Sequence, residues 1–184
     1  MKFCFIRHGE IGSNIKLVYA GWSEEGLTDK GIEQAGSAGQ RLENYGIDAI
    51  YCSPLQRARQ TAEIIGEMLA LSPVLMDNFK ELNYGPWEGK SEKEVIRQYP
   101  AAWRTWNTRP ADLAMPGRET IKELQDRVLA GIELIKEEKA DNEKILIVSH
   151  VAIIRVALLY AGSRDLNLYR TIPVANAEIF EINL

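Results

Sequence analysis

The sequence predicts an α/β fold: one domain over residues 1–184, a three-layer sandwich with a mostly parallel central sheet and helices on both faces. Short apolar runs alternate with longer segments of helical periodicity, as in βα units around a parallel sheet. Several of these runs are almost continuously apolar, as expected of parallel strands buried on both faces. No linker, repeat or low-complexity segment divides the 184 residues, a length typical of one domain.

Five short segments have the composition of strands. They are predicted at Lys2–Ile6, Ala49–Cys52, Val74–Met76, Ile145–Val148 and Glu178–Ile182.

Two of the intervening segments have clear helical periodicity, Thr28–Tyr45 and Pro54–Leu69. A proline suits the first turn of the second helix. The predicted apolar faces consist of Ile32, Ala35, Gly39 and Leu42 in the first helix and Ala58, Ala62, Ile65 and Leu69 in the second.

Three further helices are predicted. Ser91-x-x-Glu94 and Thr120-x-x-Glu123 are capping boxes that open two of them, and the third follows His150. The segment Tyr99–Gly117 contains three prolines and has no clear period. We expect it to be a loop that leaves the sheet and covers a site.

Charge and composition exclude several classes of partner. A net charge of -4 and a pI near 5.4 argue against a nucleic-acid partner, which would require a basic face. The apolar start is too short for a secretory signal, and no run approaches the roughly 20 apolar residues that a membrane helix needs. We therefore expect a cytoplasmic protein without a membrane partner. Cys4 and Cys52 are predicted to be buried thiols.

The chain has only two histidines, and each follows a predicted strand. His8 comes after the first apolar run, and His150 comes after Ile145–Val148. Ligands of open α/β sheets bind beyond the carboxyl ends of the strands. We therefore expect both imidazoles at the functional edge, although two unrelated loop histidines would fit the same positions.

Arginines accompany the two histidines. Arg7 precedes His8 directly, and Gly9 leaves room for a ligand near the backbone. Arg57 falls in the first turn of the helix after the second strand, where free N–H groups and the helix dipole attract phosphate. Arg59 is read as a surface charge. These features predict an anion site.

Five motifs in order resemble the histidine phosphatase superfamily, which includes cofactor-dependent phosphoglycerate mutases. The first is Arg7-His8-Gly9-Glu10, with Asn14 six residues after His8. The resemblance covers nearly the whole chain. The remaining motifs and segments are Gly21-Trp22, Gly26-Leu27-Thr28-x-x-Gly31-x-x-Gln34-Ala35, Ser53-Pro54-Leu55-x-Arg57-Ala58-x-x-Thr61-Ala62, Glu81-x-x-Tyr84-Gly85-x-Trp87-Glu88-Gly89, Pro116-Gly117-Arg118-Glu119-Thr120 and Val148-Ser149-His150.

This resemblance implies a role for each matched residue. His8 would be the nucleophile that becomes phosphohistidine, with Arg7, Arg57 and His150 around the phosphoryl oxygens. A full contribution from His150 would require its protonation, which a phosphate dianion favours.

Glu81 would be the general acid, although Glu10 and Glu88 are alternative carboxylates. Further phosphate- or substrate-binding positions are Asn14, Gly21, Trp22 and Val151. No metal and no cofactor is implied.

Three positions depart from the family pattern. Val151 stands where a glycine usually follows the second histidine, which would narrow the pocket or shift the amide. Val18 stands where an arginine is common. Arg118 replaces a common glycine and is a candidate replacement cation.

The resemblance favours a phosphatase over a mutase, because the segment between Gly89 and Gly117 is short, whereas mutases commonly carry a longer insertion there. The expected partner is a small phosphate ester. Alpha-ribazole phosphatases are the branch that the chain resembles most. A mutase and a non-catalytic phospho-ligand-binding protein remain alternatives. A homodimer is an open expectation, which depends on whether the last strand lies at a sheet edge.

The aromatic residues near these motifs allow two interpretations. They would either form a wall for an organic leaving group or serve only in packing. The set is Trp22, Tyr84, Trp87, Trp103 and Trp106.

Overall fold

A computed structural model describes all residues, 1–184, and has a five-stranded sheet in the order β3-β2-β4-β1-β5. The strands β1 to β4 are parallel to their neighbours, and β5 runs antiparallel to β1. Their bounds are β1 Lys2–Arg7, β2 Ala49–Cys52, β3 Val74–Leu75, β4 Lys144–Ser149 and β5 Ile179–Ile182. The predicted mostly parallel sheet is confirmed.

Seven α-helices and four short 3-10 turns connect the strands. The α-helices are α1 Gly12–Lys16, α2 Asp29–Leu42, α3 Gln56–Leu69, α4 Glu92–Gln98, α5 Pro100–Thr108, α6 Ile121–Glu138 and α7 Val151–Ala161.

Two separate apolar clusters form the sandwich, one on each face of the sheet. Alternate residues of β1 divide between them: Phe3 and Phe5 pack with α6 and α7, and Cys4 and Ile6 pack with α2 and α3. This alternation follows from the two-residue period of a strand. The predicted three-layer architecture is therefore confirmed, and both cysteines are buried free thiols.

The predicted caps open their helices. The hydroxyls of Thr120 and Ser91 accept from backbone N–H groups three residues on, and Glu123 and Glu94 return the bond. Thr28 caps α2 by accepting from the Gly31 N–H. The helix after His150 is also confirmed, with His150 itself at the N-cap.

The prediction of a loop over Tyr99–Gly117 was wrong. The helix α5 begins at Pro100, where the missing N–H of proline costs nothing in the first turn. Trp106 on this helix is buried in the core. The helix α5 is short and contains aromatic residues, so its periodicity was not visible in the sequence.

Two details of the other helices also differ from prediction. The helix α3 begins at Gln56 with Leu55 as its N-cap, so Pro54 lies before the helix and not in its first turn. Ile32 on α2 is 50% exposed, and the buried face instead uses the small residues Gly31 and Ala38 with Ala35 and Leu42. Close packing of α2 on α3 selects small residues over a bulky one.

The sheet has two edges, β3 and β5. The sequence did not reveal that the last strand lies at an edge, the position on which a homodimer depends, and oligomerisation stays a prediction. None of the helices combines the length and apolar character that crossing a bilayer requires.

Candidate active site

Both histidines lie at the carboxyl ends of adjacent central strands, as predicted. Arg7 of β1 pairs in register with Ser149 of β4, so the next residues, His8 and His150, emerge side by side. The His8 N–H donates to the Ser149 carbonyl at 2.9 Å. The two ring centroids are 5.2 Å apart, with the planes inclined at 61°.

A backbone carbonyl fixes the tautomer of His8. The ring Nδ1 lies 2.7 Å from the Gly9 carbonyl oxygen, which can only accept, so Nδ1 carries the proton. The Nε2 lone pair is then free. Burial lowers the pKa of His8 well below its ordinary value, and the positive charges of Arg57 and Arg7 lower it further. His8 is therefore a neutral imidazole at physiological pH.

Ser53 orients His150. It belongs to a motif of the sequence analysis, but no role was predicted for it. Ser53 Oγ lies 2.8 Å from His150 Nε2 and also accepts from the Leu55 N–H at 3.3 Å. The structure gives the Ser53 hydroxyl no acceptor other than His150 Nε2, so its proton is assigned to that contact and the ring proton of His150 to Nδ1. One signal could have found Ser53: it follows β2 directly, as His8 and His150 follow their strands.

In the free site His150 is neutral, and its protonation next to a phosphate dianion stays a prediction. Burial lowers its pKa well below the ordinary value, and Arg57 and His8 are the next causes. The imidazole is neutral until an anion compensates the neighbouring cations.

Two arginines, the buried Arg57 and the half-buried Arg7, stand beside the histidines, and the Nε atom of each is buried without a partner. Arg57 donates Nη1 to the Ser23 carbonyl at 2.8 Å and Nη2 to the Gly21 carbonyl at 2.6 Å. Arg7 donates Nη1 to the Val174 carbonyl at 2.8 Å. These bonds lock both guanidinium groups in place. Burial lowers the pKa of each arginine, and the Glu81 carboxylate raises it.

Three buried nitrogens of this cluster have no partner in the chain, Arg7 Nε, Arg57 Nε and His150 Nδ1, and the charges of both arginines act on both histidines. Buried donors are nearly always paired in folded proteins. Three unpaired ones beside a free imidazole nitrogen form a cradle suited to the oxygens of a phosphoryl group.

Glu81 is the carboxylate that the fold brings to this cluster. It is 7% exposed, and Oε1 accepts from the N–H groups of Leu82 at 2.8 Å and Ala152 at 3.2 Å. Burial raises its pKa, while those two bonds and the arginines oppose the rise. A carboxyl that is oriented through one oxygen and holds its proton to higher pH is suited to general acid catalysis.

The alternative carboxylates are engaged elsewhere. Glu10 forms an ion pair with Lys30 at 2.8 Å. Glu88 Oε1 accepts from the Trp22 backbone N–H at 3.1 Å.

Gly21 and Trp22 act on the site through its other members. The Gly21 carbonyl accepts from Arg57, and the Trp22 indole N–H donates to the Glu81 carbonyl at 2.7 Å. Arg127, which sequence reasoning missed, donates to the same carbonyl at 2.9 Å. The backbone of Glu81 is therefore held from two sides.

A second asparagine, Asn176, links Asn14 to His8. The Oδ1 atom of Asn14 accepts from the Ile11 N–H at 3.2 Å and from Asn176 Nδ2 at 3.1 Å, and Asn176 also donates to the His8 carbonyl at 3.0 Å. Both hydrogen bonds of the Asn14 side chain use its oxygen, and its NH₂ group donates to no atom of the protein. Asn176 belongs to no recognisable motif, so it could not be found from the sequence.

The glycine beside His8 serves packing rather than ligand access. A side chain on Gly9 would collide with the backbone of Gly31, and one on Gly31 would collide with the backbone of Glu10. The two glycines let the β1–α1 connection lie directly on α2. The prediction that Gly9 makes room for a ligand is replaced by this contact.

The departures from the family pattern fall in different places. Val151 is the first residue of α7, half-buried and packed on the core. Val18 lines a cavity of about 310 Å³. Arg118 lines a different surface and stacks over Trp106, 4.3 Å from the ring centroid, so it does not replace a cation in the Val18 cavity.

The aromatic residues divide between the two interpretations. Trp87 is fully buried and Trp103 packs on the core, whereas Tyr84 and Trp106 line the cavity. Trp22 is 42% exposed.

Comparison with known proteins places the chain in a family. The family model of the histidine phosphatase superfamily (branch 1) matches residues 3–184. The chain is 36% identical over 168 residues to the phosphatase PhoE of Bacillus subtilis, itself described as uncharacterized, covering 91% of this chain and 81% of PhoE. The structure of YhfR from Bacillus stearothermophilus superposes with a TM-score of 0.93 at 27% identity, covering 100% of this chain and 91% of YhfR.

Relatives with stated activities fall into more than one class. The chain is 27% identical to the adenosylcobalamin/alpha-ribazole phosphatase of Salmonella typhimurium, covering 86% of this chain and 78% of that enzyme. It is 32% identical to the 2,3-bisphosphoglycerate-dependent phosphoglycerate mutase of Cytophaga hutchinsonii, covering 84% and 74%.

The chain belongs to the histidine phosphatase superfamily. The predicted resemblance, including that to alpha-ribazole phosphatases, is confirmed. The chain is a phosphatase-type member of that superfamily, and its domain is a mostly parallel α/β domain.

Proposed function

We propose that the protein is a metal-independent phosphomonoesterase that hydrolyses a small phosphorylated metabolite through a phosphohistidine on His8. The observation that carries this proposal is the free Nε2 of His8 beside three buried unpaired donors, Arg7 Nε, Arg57 Nε and His150 Nδ1.

In the first half-reaction, His8 Nε2 attacks the phosphorus, and the P–N bond forms as the ester P–O bond breaks. Glu81 gives its proton to the departing oxygen, so the leaving group departs as an alcohol. Arg7 and Arg57 stabilise the charge on the phosphoryl oxygens. The incoming dianion raises the pKa of His150, which then binds it as a cation.

In the second half-reaction, water attacks the phosphorus of phosphohistidine. The Glu81 carboxylate takes a proton from this water, the P–N bond breaks, and inorganic phosphate leaves. His8 returns to its neutral form, and Glu81 regains the proton that it gave away. Asn14 is placed to donate its NH₂ to a phosphoryl oxygen, and Trp22 keeps the Glu81 backbone in position.

The sharpest assay of this mechanism uses a chromogenic phosphate ester with a chelator present. We expect turnover by the wild type and its loss in His8→Ala. Glu10→Gln is the matched control, because Glu10 lies next to the motif but is paired with Lys30. Activity that survives in His8→Ala, or that requires an added metal, would refute the proposal.

The covalent step has its own readout. Turnover quenched in alkali should leave acid-labile, base-stable phosphate on His8, and none on the His8→Ala variant. Active turnover with no such adduct would exclude the phosphohistidine.

Alpha-ribazole 5'-phosphate is one candidate substrate, supported by the resemblance to alpha-ribazole phosphatases. A panel of phosphorylated metabolites that includes it, phosphoserine and sugar phosphates ranks the candidates by kcat/KM.

A phosphoglycerate mutase is the alternative function, and the mutase relative supports it. Hydrolysis is preferred because residues 90–116 hold only two short helices and a 3-10 turn, which leaves a short connection between the third and fourth motifs. Rapid formation of 2-phosphoglycerate from 3-phosphoglycerate with catalytic 2,3-bisphosphoglycerate would reverse this preference. Binding of phosphate esters with no turnover of any would favour a non-catalytic binding protein.

A further inference from the structure

The Val18 cavity carries charge that the catalytic cluster does not use. Its volume is about 310 Å³, and its walls combine Val18, Tyr84 and Trp106 with the guanidinium groups of Arg155 and Arg170. None of the catalytic residues lines it. Val18 is one of the three residues that depart from the family pattern. It lines the same cavity as two cations that no sequence motif indicated.

The cavity lies next to the phosphoryl site. Arg155 is on α7, five residues after His150, which corresponds to about 7.5 Å along the helix axis. The charge of Arg155 reaches Arg7 and contributes to lowering its pKa. Tyr84 lines the cavity and stands three residues after Glu81. Arg7 and Arg155 also donate to carbonyls two residues apart on one segment, those of Val174 and Ile172, so the cavity and the phosphoryl site are neighbours.

The two arginines are not neutralised within the protein. Arg170 Nη1 is buried and has no hydrogen-bond partner. Its nearest carboxylate oxygen belongs to Glu92, at 3.9 Å from Nη2, and Glu92 is 51% exposed. An ion pair this long and this exposed to solvent contributes little free energy. Arg155 donates Nε to the Ile172 carbonyl at 2.8 Å and stacks over Tyr169, which fixes its orientation without cancelling its charge.

We propose that this cavity binds the acidic part of the leaving group, with Arg155 and Arg170 on a carboxylate and Tyr84 and Trp106 against its carbon skeleton. This inference rests on the proposed function, since the leaving group reaches the cavity only from a phosphoryl group at His8. It narrows the substrate class to phosphate esters of small carboxylic acids.

The chemistry of the two arginines favours a carboxylate. Arg155 and Arg170 outnumber Glu92 among the residues that line the cavity, so its walls attract an anion. A planar guanidinium also binds a carboxylate through two parallel hydrogen bonds. An ester without an acidic group would leave the buried Arg170 donor unpaired, and sites of this kind discriminate strongly against such analogues.

The test compares two pairs of esters that differ only at the acidic group: phosphoserine with phosphoethanolamine, and 3-phosphoglycerate with glycerol 3-phosphate. For the wild type we expect kcat/KM to favour the acidic member of each pair by about 10- to 100-fold. A ratio near one in both pairs would overturn the inference.

Substitution then assigns the preference to the arginines. Arg170→Gln and Arg155→Gln should each lower the acidic-to-neutral ratio by about tenfold, mainly through KM, and Arg170→Lys should restore part of it. Arg41→Gln, an exposed arginine on α2, is the control and should keep the wild-type ratio. Equal losses on both members of a pair would overturn the assignment.

Two features keep the outcomes distinguishable. Arg155→Gln also loses the bond to Ile172, so its melting temperature is compared with that of Arg170→Gln, which loses no such bond. Turnover of the neutral esters that depends on His8, without preference for acidic ones, would refute this inference and leave the proposed function standing. Failure to hydrolyse any ester would refute the proposed function itself.

Discussion

Ser53 Oγ lies 2.8 Å from His150 Nε2, and this contact joins the carboxyl ends of the neighbouring strands β2 and β4. Both atoms are buried, so each depends on the other for its hydrogen bond. Because the hydroxyl occupies Nε2, the proton of the neutral ring lies on Nδ1, the nitrogen without a partner in the chain. The position of this serine thus decides which nitrogen of His150 faces a phosphoryl group.

Ser53→Ala should lower kcat by about tenfold, because His150 loses the group that fixes its tautomer and must share its proton between two nitrogens. The pH–rate profile should change as well, because the Ser53 hydroxyl donates only to the neutral ring and its removal disfavours that form of His150. Ser72→Ala, at an exposed position after α3, is the control. A simple loss of stability with an unchanged pH profile would contradict the positioning role.

Glu81→Gln should slow hydrolysis by an amount that depends on the leaving group. An alkyl ester needs a proton on its departing oxygen, so we expect a loss of about 10²- to 10⁴-fold. A nitrophenyl ester leaves readily as an anion and should lose much less in the first half-reaction. The contrast is measured as the ratio of the two kcat/KM values, and an equal loss on both esters would argue that Glu81 serves only to hold the Ala152 N–H.

Local patterns determined the parts of the fold and site that could be predicted. Continuous apolar runs placed β1 and β4, and the strand-end rule then brought His8 and His150 together without any knowledge of packing. The contacts of Asn176, Arg127 and Arg170 could not be found this way, because they join residues that are far apart in the chain and that no local pattern relates. The helix α5 was missed for a related reason: its nine residues are too few to establish a helical repeat.

The free protein should lose stability as the pH falls from 7 towards 5. In the unfolded chain the histidines take up protons near their ordinary pKa of 6.5, whereas burial lowers the pKa of His8 and His150 in the folded chain. Below pH 6.5 the unfolded state therefore binds more protons, and each histidine lowers the free energy of unfolding by up to about 1.4 kcal/mol per pH unit. Urea titrations at pH 7.5, 6.5 and 5.5 measure this slope.

His8→Asn should make that slope shallower, because one of the two buried imidazoles is removed. Glu81 acts with the opposite sign: its raised pKa means that the folded state keeps a proton which the unfolded state releases, so its contribution grows as the pH falls towards 4.5. An identical slope in the wild type and in His8→Asn would refute the lowered pKa of His8.

Two glycines on the same helix should respond to alanine in opposite directions. On α2, a side chain at Gly31 would collide with the backbone of Glu10, which cannot move without displacing the connection that carries His8. We expect Gly31→Ala to lower the free energy of unfolding by about 1–3 kcal/mol, the usual cost of overpacking. Gly36, one and a half turns further on, faces open space. Alanine there should raise the free energy of unfolding by about 0.4–1 kcal/mol, because it restricts the unfolded chain and favours the helix.

The pair also separates helix propensity from contact at the site. Propensity alone predicts that both variants are more stable than the wild type, since both positions lie inside α2. Only the contact between α2 and the β1–α1 connection predicts opposite signs, together with a loss of activity in Gly31→Ala as Gly9 and His8 shift. Equal stabilisation of both variants, measured by urea denaturation, would mean that α2 does not set the position of His8.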